Sequence, residues 1–267
     1  MKKAVSRVYM TLVFVFLYAP ILLLIVFSFN DSDTKSRTVW SGFSTRWYEQ
    51  LFQDRMLLDA LRNTLIIAVV AAVASTVLGT LAAISIDSMK KWKRKLVMNI
   101  TNLPMLNPEI VTGVSLMLLM VFAARFLGVD LGMGSIILAH ITFCLPYVIL
   151  SVLPKLGQMD PHLYEAAQDL GCTPVRAFFK VVLPEIMPGV VTGMVMAFTL
   201  SIDDFIISYF CSGTTQTLPV FIYSMTRKRV SPEINALSTL LFAVVLLLLL
   251  VINIRQGKVG KKREVEA

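Results

Sequence analysis

The sequence is poor in charge, in cysteine and in histidine. Charged residues make up 16% of its 267 positions, whereas an average soluble domain carries about 25%, so the chain lacks the polar surface that a soluble fold of this length needs. Three cysteines, Cys144, Cys172 and Cys211, stand far apart and are too few for a disulfide framework or a Cys-rich metal centre. The two histidines, His140 and His162, fall in different compartments of the topology derived below. That separation argues against a shared metal site, and each reads as a hydrogen-bonded or interfacial side chain. A phosphate-binding loop is also missing, because Gly257-Lys258 is followed by Val259 and has no Gly-rich approach.

What is abundant is apolar. Hydrophobic residues reach 56% and mean hydropathy is +0.73, which identifies a membrane protein. The net charge of +8, from 25 Lys+Arg against 17 Asp+Glu, then orients loops against a bilayer rather than forming a nucleic-acid face. Six stretches are long enough to cross hydrocarbon about 30 Å thick, at about 8–29, 64–86, 96–126, 135–153, 181–210 and 236–254. The expected fold is all-α, with six transmembrane helices in a single domain over 1–267. The first stretch follows Lys2, Lys3 and Arg7 and lacks a small-residue cleavage pattern, so it reads as an uncleaved helix. Of the 25 Lys and Arg residues, 16 fall on one side of the alternating loops, five of them in the short loop Lys90 to Lys95. Both termini are therefore expected in the cytoplasm. The run Arg227-Lys228-Arg229 opposes that trend. It reads either as a solvated loop or as a docking surface for an acidic external partner. Ser44 to Arg62, rich in Trp, Tyr, Leu and Phe on the same side, reads as an external amphipathic helix.

The one long cytoplasmic loop carries start and stop signals. Asp160 suits an N-cap, Pro161 the first helical position and Gly171 a left-handed C′ position, and Thr173-Pro174 repeats the start signal. The expectation is a short helix at about 161–171, a tight turn, and a second helix running into the fifth span. Such an arrangement is a lever, since whatever pushes the short helix moves the span.

Glu165-Ala166-Ala167, three residues, Gly171, nine residues and then Val181-Val182-Leu183-Pro184 resembles the EAA signature of ABC importer permeases, with Val181 where Ile is usual. The resemblance implies a type I ABC importer permease (MetI-like) fold. It further implies that Glu165, Ala166, Ala167, Gly171, Leu183 and Pro184 couple the chain to an ATPase. The partners implied are a second homologous permease and two ATP-binding subunits that hold ATP and Mg. With them would act an extracytoplasmic binding protein, docked by Arg227, Lys228 and Arg229. The setting is the cytoplasmic membrane of a bacterium. Segments His140 to Tyr147, Phe198 to Phe205 and Leu218 to Leu237 are similar to PotC-type permeases of spermidine/putrescine importers, which implies a polyamine cargo.

The residues bear on that cargo independently. Glu109, Asp203 and Asp204 fall within spans, where a carboxylate costs about 2.5–3.5 kcal/mol on insertion scales and so faces a cavity or a partner. No basic residue lies deep in the spans, so a cationic visitor is expected. Tyr147 and Phe205, with Phe143 and Tyr209, are available for cation–π contact. The stretch Leu96 to Phe126 would be about 46 Å long as one helix, and Pro104, Asn107 and Pro108 interrupt it, so a break near 104–109 is expected with Glu109 at the new start. An ordinary N-terminal carboxylate at a helix start explains Glu109 equally well. Adjacent helical residues point about 100° apart, so one of Asp203 and Asp204 can face the path while the other bonds within the subunit. Two alternatives remain open: the same machine with another cationic or small organic solute, and a self-sufficient transporter that relays protons through Asp203 and Asp204. Gly79, Gly113, Gly189 and Gly193 are available for close helix contact.

Overall fold

The computed structural model describes residues 2–31, 40–127, 131–160, 162–228, 233–247 and 250, with only the backbone described at 2–5, 127 and 228. Its helices are α1 Lys2–Phe27, α2 Arg46–Gln53, α3 Arg55–Asp87, α4 Lys91–Leu106, α5 Glu109–Leu127 and α6 Met133–Gln158. They continue as α7 His162–Asp169, α8 Pro174–Ala177, a π-turn Phe178–Val182, α9 Leu183–Asp203, α10 Ile206–Cys211 and α11 Leu218–Lys228, then α12 Glu233–Leu247. Among the described residues the only β pairing is an isolated bridge between Asn30 and Phe43. Among the described residues, five helical runs are long and apolar enough to span a membrane: Ser6–Phe27, Arg55–Asp87, Glu109–Phe126, Met133–Gln158 and Pro174–Asp203. Of the expected sixth span at 236–254, α12 covers the first part, and beyond it only Leu250 lies within the described residues.

The chain forms two compact units, 1–58 with 222–267, and 59–221. In the first, the segment after α1 is tied by polar bonds. The Trp47 indole N–H donates to the Asn30 carbonyl at 2.8 Å, Ser28 and Tyr48 hydroxyls meet at 2.7 Å, and Phe29 stacks on Phe43 at 5.3 Å. The external amphipathic helix expected over 44–62 is two helices. The Asp54 backbone is extended between them (ψ 101°), and its carboxylate accepts the N–H groups of Met56 and Leu57 at 2.9 and 3.3 Å. That cap starts α3 nine residues ahead of the expected span.

In the second unit α6 is the hub, with α9 packed along it and α4 and α10 also against it, while α10 lies on α5. The core joins Ile67 and Ala83 of α3, Leu116 of α5, Ile136, Cys144, Val148 and Val152 of α6, Ile186 and Ala197 of α9, and Ile207 of α10. Lipid tails are as apolar as these side chains, so close packing rather than water exclusion must hold spanning helices together. Gly189 and Gly193 supply it: a Cβ at Gly189 would fall 2.7 Å from the Ser151 carbonyl oxygen, and one at Gly193 would fall 3.2 Å from the Val148 Cα. Gly79 and Gly113 allow similar approaches to Val148 and to Ile206 with Phe210. The outer faces of α1, α3 and α5 leave Phe16, Leu22, Val73, Leu81, Leu118 and Phe122 exposed, as bilayer-facing helices require.

The long third stretch is interrupted where the sequence predicts. Asn107 adopts an extended conformation (ψ 144°) and separates α4 from α5. Neither Pro104, inside α4, nor the Pro108 ring can donate a backbone bond across the break. The 19 residues of α5 measure about 28 Å, close to the hydrocarbon thickness without help from α4.

Candidate functional site

The lever is built from local signals. The Asp160 carboxylate accepts the His162 N–H at 3.0 Å, and the Asp160 carbonyl accepts the Leu163 N–H at 3.2 Å, which caps the start of α7; Pro161 lies outside the described residues. At the other end Gly171 N–H bonds the Gln168 carbonyl at 2.8 Å and Cys172 N–H bonds the Ala167 carbonyl at 3.0 Å. This is the paired closure of a Schellman end, and it requires the left-handed residue that Gly171 provides at φ +86°. Ala167 is buried, and Tyr164 packs on the core of the second unit. The opposite side presents Leu163, Glu165, Ala166 and Leu170, the last of them 86% exposed. The Glu165 carboxylate, 3.5 Å from the exposed His162 ring, stays open to a partner's cation. Small, acidic and apolar groups are thus exposed together along α7.

From α7 the chain turns once and becomes a continuous helical run from Pro174 to Asp203. Thr173 occupies the N-cap position in an extended conformation, although its hydroxyl makes no capping bond. Leu183-Pro184 sits where the run changes character. Pro184 has no N–H for the Lys180 carbonyl, and the preceding turn widens so that Leu183 N–H bonds the Phe178 carbonyl, five residues back. Leu183 packs on the core, while Pro184 is exposed.

Asp203 and Asp204 end this run and are separated by environment. Asp203 is exposed and has no hydrogen bond or ion pair among the described residues. Asp204 is buried, its backbone is extended (ψ 119°), and its carboxylate accepts Ile207 N–H at 3.3 Å and Ser208 N–H at 2.8 Å in the first turn of α10. The imidazole of His140, 1% exposed in α6, lies 3.4 Å from the same carboxylate. Its Nδ1 meets the Ser201 hydroxyl at 2.7 Å and its Nε2 the Ser208 hydroxyl at 3.2 Å. Sequence reasoning expected a hydrogen-bonded His140 and one aspartate bonded within the subunit but did not join His140, Ser201, Asp204 and Ser208 in one cluster. The available signal was that a polar residue in a span needs a partner.

Glu109 is exposed at the start of α5, and Tyr147 is half-buried in the interior of α6. Tyr147 meets the buried Phe143 edge-on at 5.7 Å, and Phe205 lies 5.5 Å from the exposed Tyr209. Arg227 is exposed, with its guanidinium 5.9 Å from the Tyr223 ring; Arg229 and the Lys228 side chain lie outside the described residues. No group of three or more His, Cys, Asp and Glu side chains able to hold a metal occurs among the described residues.

Known proteins resemble the chain in sequence and in fold. The chain is 44% identical over 237 residues to the putrescine transport system permease protein PotI of Escherichia coli (strain K12), covering 87% of this chain and 83% of that protein. It is 40% identical over 243 residues to the spermidine/putrescine transport system permease protein PotC of the same strain, covering 91% and 90%. In fold it matches a chain of a bacterial ABC transporter involved in the import of the acidic polysaccharide alginate, with a TM-score of 0.73 at 18% identity over 96% of this chain and 94% of that one. A second structure of an alginate ABC transporter, in complex with an alginate pentasaccharide-bound periplasmic protein, matches with a TM-score of 0.69 at 18% identity over 93% and 91%. Residues 75–264 match the model of the binding-protein-dependent transport system inner membrane component, a segment that holds the lever, the π-turn and the paired aspartates, and the chain belongs to that family.

Proposed function

We propose that the chain is one permease half of an ATP-driven importer of small polyamines, delivered by an extracytoplasmic binding protein. The carrying observation is Asp203, an exposed carboxylate with no hydrogen bond or ion pair among the described residues, at the end of a spanning helical run. A carboxylate in that setting is stabilised by a cation that visits it, and an alkylammonium group answers that need. The relatives that transport putrescine or spermidine/putrescine, at 44% and 40% identity, support the same cargo. Fold cannot supply this point, because an importer of an acidic polysaccharide has the same architecture.

The proposed cycle starts at α7. Its exposed face with Glu165, Ala166 and Leu170 docks in an ATP-binding subunit, and closure of two such subunits on ATP displaces it. The run Pro174–Asp203 is one helical rod, so displacement at its cytoplasmic end reaches Asp203. A second, homologous permease completes the path, which opens outward to accept the polyamine and inward after hydrolysis. Asp203 gives one ammonium group a charge-assisted contact, and Glu109 with Tyr147 offers another along the way. Asp204 serves the fold of the break instead, because backbone N–H groups and His140 already occupy its carboxylate. Arg227, Lys228 and Arg229 meet the binding protein outside.

The test is uptake of labelled putrescine and spermidine into proteoliposomes that hold the complete assembly. Asp203→Asn keeps the size and removes the charge, and uptake should fall about tenfold or more, the worth of a charge-assisted hydrogen bond. ATPase activity stimulated by the loaded binding protein should change much less, since docking surfaces are untouched. An assembled Asp203→Asn transporter working at the unmodified rate overturns the reading.

A further inference from the structure

We infer that His140 is a positioning residue for transport: it clamps the break between α9 and α10 and thereby sets where Asp203 presents its carboxylate. The inference rests on the path reading of Asp203 given above. It starts from the backbone. α9 ends at Asp203, α10 begins at Ile206, and Asp204 between them is extended. The two helices can pivot about the few soft dihedrals of this break, so the last turn of α9, where Asp203 stands, is not held on its far side by a continuing helix. Asp204 holds only the far side of the break, by accepting N–H groups from the first turn of α10.

His140 holds both sides. Its Nδ1 is 2.7 Å from the hydroxyl of Ser201 in the last turn of α9, and its Nε2 is 3.2 Å from the hydroxyl of Ser208 in the first turn of α10. The same Nε2 is 3.4 Å from Asp204 Oδ2. One planar ring therefore spans the two helix ends, and it is carried by α6, the hub of the unit. The neighbours of His140 on α6 that enter the core include Ile136, Ala139, Phe143 and Cys144. Packing alone would be met by another apolar residue, and a buried polar cluster at membrane depth is costly unless fully bonded. The imidazole is bonded to both hydroxyls, and among the described residues no hydrogen bond or ion pair joins the cluster to the exposed Asp203 carboxylate, so the cluster acts on the path only through backbone direction.

The experiment compares His140→Leu, His140→Gln and Ser201→Ala in the complete assembly, with uptake expressed per assembled complex. Uptake in His140→Leu should fall about tenfold, as expected where one buried partner is removed from a bonded cluster. Stimulated ATPase activity should stay within about twofold because the lever is intact. His140→Gln keeps an N–H donor on that side and should recover most of the uptake, with Ser201→Ala intermediate. A positional readout accompanies these. With Asp203→Cys as a probe site, the rate of modification by a cationic thiol reagent should change several-fold when His140→Leu or Ser201→Ala is added.

Normal uptake in all three variants overturns the clamp, as does an unchanged Cys modification rate with uptake and ATPase falling in parallel. If His140→Leu does not assemble, His140→Gln and Ser201→Ala decide by the same criteria. The two readings fail separately. A fully active Asp203→Asn transporter removes the path assignment, whereas a defective Asp203→Asn beside a fully active His140→Leu removes only the clamp.

Discussion

At the scale of single residues, a carboxylate in a span has two fates, and adjacent aspartates meet both. Asp204 is bonded to the helix it starts and to His140, while Asp203 is left open. In sequence the two are equivalent apart from a rotation of about 100°, and what distinguishes them is the helix start that Asp204 caps and a partner 64 positions away in the chain. Gly171 is the opposite case, legible in advance because a left-handed helix end is a local property. A Cβ there would meet nothing within 4 Å, so crowding is no objection to a larger residue and conformation is the only cost. Gly171→Leu should therefore destabilise the α7 end by about 1 kcal/mol or more through its φ of +86°. The expected result is an assembled variant with weakened ATPase docking or reduced uptake. Unchanged values of both in pull-down and transport assays would remove α7 from the coupling route.

At the scale of elements, prolines and caps made the breaks readable, whereas the length of each helix was not. The interruption at Asn107-Pro108 and the start of α7 follow from residues within one turn of each event. The division of 44–62 by Asp54 was hidden because the apolar pattern runs through it, and a single carboxylate capping α3 outweighs that pattern. The π-turn at Phe178–Val182 was hidden for another reason: Pro184 announces a missing bond but not how the backbone accommodates it. A π-turn holds one residue more than a regular turn would, and it lies between α7 and the rod that reaches Asp203. Pro184→Ala restores the N–H and permits an ordinary α-helical turn, which would turn α7 about the rod by roughly one residue's 100°. Basal ATPase of the partner subunits should persist, while stimulation by the loaded binding protein should drop several-fold. Full stimulation in Pro184→Ala would mean that the wide turn has no part in transmission.

At the scale of the whole molecule, charge and exposed apolar surface set which side meets which partner. The apolar side chains exposed along α1, α3 and α5 confine the chain to a bilayer, and a hydrophobic surface of this kind says nothing about direction. Direction comes from the Lys and Arg distribution, in which 16 of 25 lie on the side expected to be cytoplasmic. Arg227-Lys228-Arg229 stands against that excess, and on the expected topology these three cations face outward, which is useful where an acidic protein surface arrives from that side. Electrostatic steering of this type acts on association and is screened by salt, over about 30 Å at 0.01 M and about 8 Å at 0.15 M ionic strength. Reversal of all three to Glu should therefore weaken ATPase stimulation by the binding protein strongly at low salt, and the difference from the unmodified assembly should shrink as salt rises. A salt-independent loss would indicate damage to the fold around α11 rather than lost steering, and equal stimulation at every ionic strength would leave the run as a solvated loop.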